Sequence, residues 1–130
     1  MKDPLINVLI TGANGFIGKN LVSHLSQNEN IKINTFNKSD KTNSLPSLIS
    51  QTDVVIHLAG ENRPEDPRDF VKINLELTRR ICTVIAEQLN KKSKEIKFIL
   101  ASTTQVEKKT KYGLSKLEAE KAVISLSNDL

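Results

Sequence analysis

The chain has 130 residues, of which 38% are hydrophobic and 26% are charged, and its net charge is +4. This length suffices for one globular domain with its own core, and no apolar run approaches the roughly 20 residues that a membrane-spanning helix needs. Aromatic residues make up 4%, so a nucleic-acid surface with stacking side chains is not expected. The single cysteine, Cys82, cannot form an internal disulfide, and the first residues lack the pattern of a signal peptide. Both observations favour a cytoplasmic protein.

The stretch from Leu5 to Gly18 predicts a buried strand, a glycine-rich turn and the start of a helix. Leu5 to Ile10 is an apolar run with β-branched residues, typical of a strand buried on both faces. Gly12 allows a sharp turn, Gly15 lets a phosphate approach the main chain, and Gly18 lets the helix pack closely on the strand. The N–H groups that begin the helix favour an anion such as pyrophosphate. The alternative is a tight strand-to-helix turn without a ligand.

Downstream, segments with strand character alternate with segments of helical period. The predicted elements are a helix over Phe16 to Gln27 with an apolar face of Phe16, Ile17, Leu21, Val22 and Leu25, a strand over Ile31 to Phe36, a short helix around Leu45, Leu48 and Ile49 with Ser44 as its N-cap, a strand over Asp53 to Ala59, a helix over Arg68 to Asn90, a strand over Ile96 to Ala101, and a helix over Tyr112 to Leu126.

This alternation predicts an α/β fold, a doubly wound parallel sheet of Rossmann type with strand order 2-1-3-4. We expect one dinucleotide-binding domain over residues 1–130. Folds of this type usually carry more strands, so the strand over Ile96 to Ala101 would be an uncovered edge. The chain is therefore expected to be an N-terminal fragment of a longer protein, truncated before a substrate domain, or to cover this edge by oligomerising.

A second set of residues has the character of an acid–base site. Tyr112 and Lys116 are four residues apart and share one face of the predicted last helix. A phenol is a poor acid–base group at neutral pH, and a neighbouring ammonium group stabilises its phenolate form. Thr103 follows the fourth strand, at the edge of the sheet where ligands bind, and its hydroxyl can bond a substrate carbonyl. By itself, a tyrosine and a lysine at this spacing is a common coincidence.

Taken together, four motifs resemble the extended short-chain dehydrogenase/reductases, the family of nucleotide-sugar epimerases and dehydratases. They are Thr11-Gly12-Ala13-Asn14-Gly15-Phe16-Ile17-Gly18, then His57-Leu58-Ala59-Gly60, then the helix asparagine Asn74, and finally Tyr112-Gly113-Leu114-Ser115-Lys116 with Thr103 at the position of the family's catalytic Ser or Thr. Within the family, the Leu58–Pro64 stretch and the Thr104-Gln105 pair are similar to members that reduce 4-keto-6-deoxy UDP-sugars for capsular polysaccharides.

The resemblance implies an NAD(P)-dependent enzyme and assigns roles residue by residue. Thr103, Tyr112 and Lys116 would be catalytic: Thr103 orients the ketone, Tyr112 gives it a proton, and Lys116 supports Tyr112 and bonds the nicotinamide ribose. The cofactor would be bound by Gly12, Gly15, Phe16, Ile17, Gly18, Lys38, Leu58, Ala59, Gly60, Asn74, Tyr112 and Lys116. A homodimer through the two long helices, and a nucleotide-sugar substrate, also follow from the resemblance. The alternative function is a catalytically silent dinucleotide-binding or assembly module.

The end of the second strand decides which cofactor is expected. An NAD-preferring site usually has an acidic residue there that binds the ribose 2′-hydroxyl. Asn37 occupies that position, and the following Lys38 can attract a 2′-phosphate, so NADP(H) is favoured over NAD(H). Asp40 would take the acidic role if the strand ran three residues further.

Three further residues have simpler interpretations. His57 lies within an apolar strand and is expected to be a packed core histidine rather than a ligand. Cys82 lies near the apolar face of the long helix and is expected to be buried. Arg63 lies in a loop, where it is either exposed or able to reach a substrate phosphate. No cluster of His, Cys and carboxylates has metal-ligand spacing.

Overall fold

The computed structural model describes residues 3–60, 65–66, 68, 71–92, 94–107 and 109–129. In this part of the chain, four strands alternate with four α-helices: β1 (Ile6–Thr11), α1 (Phe16–Leu25), β2 (Ile31–Phe36), α2 (Leu45–Ser50), β3 (Val54–His57), α3 (Leu77–Lys92), β4 (Lys97–Leu100) and α4 (Lys111–Asp129). Single 3₁₀ turns precede α2 and α4, at Thr42–Ser44 and Thr104–Glu107. A π-helical segment, Lys72–Glu76, leads directly into α3.

The four strands form one parallel sheet in the order β2-β1-β3-β4, which confirms the predicted fold class and strand order. β1 is hydrogen-bonded on both sides: Val8 lies opposite Ile33 of β2 and Val54 of β3. The chain leaves β1 towards β2 on one side and returns to β3 on the other. The carboxyl ends of β1 and β3 therefore border the crevice where ligands bind in open α/β sheets.

Alternate residues of β1 face opposite layers of the molecule. Val8 and Ile10 pack with Ala13 against the apolar side of α1. Leu9 faces the other layer, where α2 and α3 contribute the rest of a second core, formed by Leu9, Phe36, Leu45, Ile49, Val55, Ile81, Val84 and Ile85. Burying one such side chain contributes roughly 1.5–3 kcal/mol. The centre of the sheet is thus covered on both faces, as the continuous apolar strands predict, whereas Ile99 of the edge strand β4 is 53% exposed.

At the amino end of the sheet, Asp53 joins three strands. Its carboxylate accepts a hydrogen bond from the backbone N–H of Asn7 at 2.8 Å and lies 3.7 Å from the ammonium group of Lys94. Its own backbone donates to the carbonyl of Asn7 and accepts from the N–H of Lys97. The pKa of Asp53 is lowered, mainly by the hydrogen bond from the Asn7 backbone N–H. The side-chain bond from Asn7 and the charge of Lys94 add to this effect, and together these contributions outweigh desolvation, which raises the pKa. We call this arrangement the Asp53 clasp.

One local prediction is confirmed in part, and another is wrong. Ser44 is the N-cap residue of α2, as predicted, but its side chain makes no capping bond, because its hydroxyl donates to the carbonyl of Lys41 in the preceding 3₁₀ turn. Phe16 and Ile17 do not belong to the buried face of α1: they are 86% and 64% exposed, and the α1 residues that pack on the core are Leu21, Val22 and Leu25. The predicted start of the long helix, with Phe70, and the loop with Arg63 fall partly or wholly outside the described residues. Within the described ranges, the helices are all too short or too polar to cross a membrane.

Candidate functional site

The turn after β1 is held against the turn after β3. Gly12 has a φ of +68°, in the left-handed region that favours glycine. A Cβ on Gly12 would lie 2.7 Å from the backbone nitrogen of Ala59, so a larger residue would push the two turns apart. The hydroxyl of Thr11 completes the junction by accepting hydrogen bonds from the N–H groups of Leu58 and Ala59, both at 3.1 Å.

Gly15 and Gly18 stand in opposite environments. Gly18 is buried, and a Cβ there would come within 2.7 Å of the Ala13 Cα and closer still to the Gly12 carbonyl. Gly15 is the N-cap residue of α1, and its Cβ would meet only the Gly12 carbonyl oxygen, at an ordinary 3.4 Å. Gly18 is thus required by packing. The missing side chain of Gly15 instead leaves the backbone open towards the carboxyl edge of the sheet.

The N-terminus of α1 carries unused backbone donors. No side chain caps this helix, all of whose residues are described. The first-turn N–H groups, those of Phe16 and Ile17 among them, have no partners inside an α-helix. They add to the positive end of the helix dipole, which favours an anion.

An open cleft of about 870 Å³ lies along this edge of the sheet. Six of the predicted binding residues line it: Gly12, Gly15, Lys38, Leu58, Ala59 and Gly60. The opposite wall comes from the π segment and the first turn of α3, through Lys72, Ile73, Glu76, Leu77 and Arg80. Sequence reasoning missed this wall, because only folding brings the start of α3 over the end of β2.

A tight turn closes the cleft at the end of β2. The strand stops at Phe36 and does not run the three residues further that would give Asp40 the acidic role. Instead, the Asp40 carboxylate accepts a hydrogen bond from the Asn37 N–H at 2.7 Å, and the Asp40 N–H donates to the Asn37 carbonyl. Asn37 lines the cleft, and its Oδ1 atom is buried and has no hydrogen-bond partner among the described residues.

Lys116, Asn74 and Gly60 come together at the other end of the site. The ammonium group of Lys116 donates to the carbonyl of Ala101, just past β4, at 2.7 Å. A Cβ on Gly60 would lie 3.1 Å from Asn74 Oδ1 and 3.6 Å from Lys116 Nζ, so only glycine leaves this space free. Lys116 is 5% exposed, and desolvation lowers its pKa while the charge of Glu120 opposes that shift.

Tyr112 and Thr103 flank this cluster in the chain. Tyr112 is the second residue of α4 and is half-buried. The helix start is capped by Thr110, whose hydroxyl accepts from the Gly113 N–H at 3.0 Å. Thr103 lies between β4 and the 3₁₀ turn, close after the Ala101 carbonyl that holds Lys116. The structure thus brings Lys116 and Asn74 to the turn beside Gly12, with Tyr112 one helical turn before Lys116.

The simpler interpretations of two residues are confirmed. His57 is 1% exposed, and Cys82 is 7% exposed. Burial raises the pKa of the Cys82 thiol to about 11, so it is mostly protonated and unreactive at neutral pH. Over the described ranges, no group of three or more His, Cys, Asp and Glu residues has the geometry of a metal site.

Comparison with known proteins identifies the family. The model of the NAD dependent epimerase/dehydratase family matches residues 8–129. The chain belongs to this family. The chain is similar to a UDP-2-acetamido-2,6-beta-L-arabino-hexul-4-ose reductase of Pseudomonas aeruginosa, with 39% identity over 125 residues, covering 96% of this chain and 32% of the relative.

Solved structures agree with the family assignment. The capsular polysaccharide assembling protein CapF of Staphylococcus aureus is 31% identical, with a TM-score of 0.76, over 95% of this chain and 32% of its own. UDP-glucuronic acid 4-epimerase of Bacillus cereus, solved in complex with NAD, has a TM-score of 0.80 at 22% identity, over 95% of this chain and 52% of its own, and shows the fold alone. The chain thus spans about a third to a half of these relatives.

The family takes a nicotinamide dinucleotide, and the residues present fit this group. The open face of Gly15 and the uncapped start of α1 suit a pyrophosphate, which needs close backbone approach and N–H donors. The unpartnered Asn37 Oδ1 suits a hydroxyl donor such as that of a ribose.

Proposed function

We propose that this chain is the NADP(H)-binding part of a nucleotide-sugar reductase that reduces the 4-keto group of a 6-deoxy UDP-sugar for surface polysaccharide synthesis. The observation that carries the proposal is the cleft of about 870 Å³, bordered by the open face of Gly15 and by the turn at Ala59 and Gly60. The relative from P. aeruginosa, a UDP-sugar reductase by name, supports the substrate class. The S. aureus relative, a capsular polysaccharide protein, supports the polysaccharide role.

In this proposal, the cofactor lies across the carboxyl ends of β1 and β3. Gly12 and Gly15, with the N–H groups of Phe16 and Ile17, hold the pyrophosphate, and Gly18 keeps α1 close enough to do so. Leu58, Ala59 and Gly60 border the nicotinamide half, with Asn74 behind them. Lys38 neutralises a 2′-phosphate at the other end.

The chemistry requires one proton and one hydride. A dihydronicotinamide held by these residues would supply the hydride for the ketone carbon. The Tyr112 hydroxyl donates the proton to the ketone oxygen. The Lys116 ammonium group stabilises the resulting phenolate and bonds the nicotinamide ribose, and the Thr103 hydroxyl donates a hydrogen bond that orients the ketone.

The preference for NADP(H) follows from the turn after β2. Asp40, the one carboxylate in this turn, already accepts the Asn37 N–H, which supports a structural role for it. Lys38, Lys72 and Arg80 are exposed cations on the cleft. They outnumber the carboxylates of Asp40 and Glu76 that also line it, which favours a 2′-phosphate over a hydroxyl.

The first experiment is a calorimetric titration of the chain with NADPH and, separately, with NADH. Tighter binding of NADPH is expected, and Lys38→Ala should weaken NADPH binding while leaving NADH binding nearly unchanged. Lys41→Ala is the matched control, because Lys41 is exposed in the same connection and does not line the cleft. Binding of NADH alone would refute the cofactor preference. Binding of neither would favour a silent assembly module.

We further propose a cytoplasmic homodimer that pairs α3 and α4 with the same helices of a second copy. Supporting this, Leu114 and Ile124 of α4 are 48% and 60% exposed. Sedimentation velocity tests it: a dimer should be observed, and Ile124→Glu should convert it to monomer. A monomeric parent protein would rule the pairing out.

A further inference from the structure

A chain of hydrogen bonds crosses the interior behind the proposed cofactor cleft. It runs through Thr11, His57, Thr78, Asn74 and Ser115, all of which are at most 5% exposed. We call it the buried relay. It begins at the turn beside the glycine loop and ends in the first turn of α4. The proposed roles of Gly12, Lys38, Tyr112 and Lys116 do not use the histidine at its centre.

The direction of each hydrogen bond in the relay follows from counting donors. The Ala59 N–H points at the Thr11 hydroxyl oxygen, and so does the Leu58 N–H, which is shared with the Thr11 carbonyl at 3.3 Å. These two donors occupy the lone pairs of the hydroxyl oxygen. The hydroxyl proton of Thr11 must therefore be donated to His57 Nδ1, which lies 2.6 Å away. Nδ1 is then an acceptor and carries no proton.

The second ring nitrogen continues the relay in the same direction. A neutral imidazole without a proton on Nδ1 carries it on Nε2. His57 Nε2 lies 2.8 Å from the Thr78 hydroxyl oxygen and donates to it. The Thr78 hydroxyl then donates to the backbone carbonyl of Asn74, 3.1 Å away in the π segment. If both ring nitrogens carried a proton, the His57 Nδ1–H and the Thr11 O–H would both be donors in the same contact, and neither would have an acceptor there.

From Asn74 the relay reaches the helix that carries Tyr112. The Asn74 side-chain N–H₂ donates to the Ser115 hydroxyl at 3.1 Å, and this hydroxyl donates to the Tyr112 carbonyl at 2.8 Å. The π segment matters because it sets the position of Asn74 relative to both α4 and Gly60. Such segments often occur at functional sites.

We propose that His57, as the neutral Nε2–H tautomer, is a positioning residue that locks the cofactor-side turn at Leu58–Ala59 to the start of the helix bearing Tyr112 and Lys116. That this turn contacts a cofactor rests on the proposed function. The connection between the turn and the start of α4 depends only on the folded chain. His57 touches neither the proposed substrate nor the proposed cofactor and acts through Thr11 and Thr78.

The tautomer is tested directly on the ¹⁵N-labelled chain without cofactor. Long-range ¹H–¹⁵N spectra should show His57 Nδ1 as an unprotonated nitrogen and Nε2 as a protonated one at neutral pH. An Nδ1–H tautomer, or a doubly protonated ring, would overturn the proposal. Since this measurement needs no variant, it stands even if a substitution prevents folding.

The coupling between His57 and the start of α4 is tested by amide hydrogen exchange on three variants. Thr78→Val removes the hydroxyl that His57 and Asn74 share, and exchange at Gly113–Lys116 should accelerate about tenfold, the effect of losing one buried hydrogen bond. Thr78→Ser keeps the hydroxyl and should restore slow exchange. Thr52→Val is the matched control, because the buried Thr52 hydroxyl likewise donates to the carbonyl four residues earlier, that of Leu48, but lies outside the relay.

The outcomes separate this inference from the proposed function. Equal acceleration at Gly113–Lys116 in Thr78→Val and Thr52→Val would show a general loss of stability and would overturn the coupling. Failure of the parent chain to bind NADPH would instead refute the proposed function, while the tautomer and the exchange pattern would still support the lock.

Discussion

The ammonium group of Lys116 in α4 and the carbonyl oxygen of Ala101 after β4 are joined by a 2.7 Å hydrogen bond. This bond places a nearly buried cation at the carboxyl edge of the sheet, beside Gly60 and Asn74. Tyr112, one helical turn earlier, shares the face of α4 that carries Lys116.

Replacing this lysine tests its proposed role. Lys116→Met should lower kcat of the complete protein on a 4-keto UDP-sugar at least a hundredfold, because the phenolate of Tyr112 loses its neighbouring cation. Lys121→Met is the matched control: Lys121 lies in the same helix but is exposed and pairs with Glu118. Steady-state kinetics of both variants, with circular dichroism to establish folding, make the comparison. Similar kcat values in the two variants would count against the assignment.

Removing the Tyr112 hydroxyl should separate turnover from binding. Tyr112→Phe leaves the ring in place, so α4 and its Thr110 cap should be unaffected, whereas the ketone oxygen loses its proton donor. We expect turnover to be abolished and the NADPH dissociation constant to stay within about threefold of the parent value. Stopped-flow reduction and a binding titration measure the two quantities. A variant that reduced substrate at the parent rate would falsify the role of Tyr112.

Substitutions of two glycines in the first loop should have different effects, one on stability and the other on cofactor binding. Gly18→Ala should destabilise the fold by roughly 1–3 kcal/mol or more, because its Cβ collides with the backbone of Gly12 and Ala13. Gly15→Ala should fold normally, since its Cβ meets only one atom at 3.4 Å, but it should weaken NADPH binding, because the new methyl group projects into the cleft. Thermal unfolding and titration of each variant distinguish them. Tight NADPH binding by a folded Gly15→Ala protein would exclude the proposed cofactor pose.

The buried His57 predicts a loss of stability in acid. Burial, and secondarily the charge of Lys116, lowers its pKa in the folded protein to about 3, compared with 6.5 for an ordinary histidine. Between these values the unfolded chain binds a proton that the folded chain does not. The free energy of unfolding should therefore fall as the pH falls from about 6.5 towards 3, by up to about 1.4 kcal/mol per pH unit from this group.

Urea denaturation of the parent and of His57→Gln at several pH values isolates this contribution. The variant should be less stable at pH 7, and its stability should decline less steeply in acid. His24→Gln is a control at an exposed position of α1, since it removes a histidine without touching the core. Identical pH slopes in the parent and in His57→Gln would contradict the prediction.

The fold was predictable because its signals are local. The apolar strands, the helical periods and the turn at Gly12 each depend on adjacent residues, and the strand order follows from general rules of handedness. The N-cap position of Ser44 is predictable, but its missing capping bond is not, because the 3₁₀ turn before α2 offers its hydroxyl a competing carbonyl. Phe16 and Ile17 match the period of α1, but periodicity does not show which residues of a helix the sheet covers.

Sequence patterns indicate single residues of the candidate site, but not the hydrogen-bond network that joins them. The burial of His57 could be inferred from its strand, whereas its partners Thr11 and Thr78 lie 46 and 21 residues away in the chain and meet it only after folding. The π segment likewise has no signature in the apolar pattern, since Lys72–Glu76 also fits a regular helix. The sequence does not decide whether β2 ends at Phe36 or runs three residues further, because Asn37 to Asp40 carry no apolar pattern.

The Asp53 clasp has a consequence for how this scaffold tolerates change. It fastens β1, β3 and the approach to β4 at the amino end of the sheet, through Asn7, Lys94 and Lys97. Residues that line the cleft are all at the opposite end. Substitutions in the cleft loops can therefore accumulate without loosening the clasp, and a lineage can acquire new specificity at one end of the sheet while the other end preserves the register of its strands.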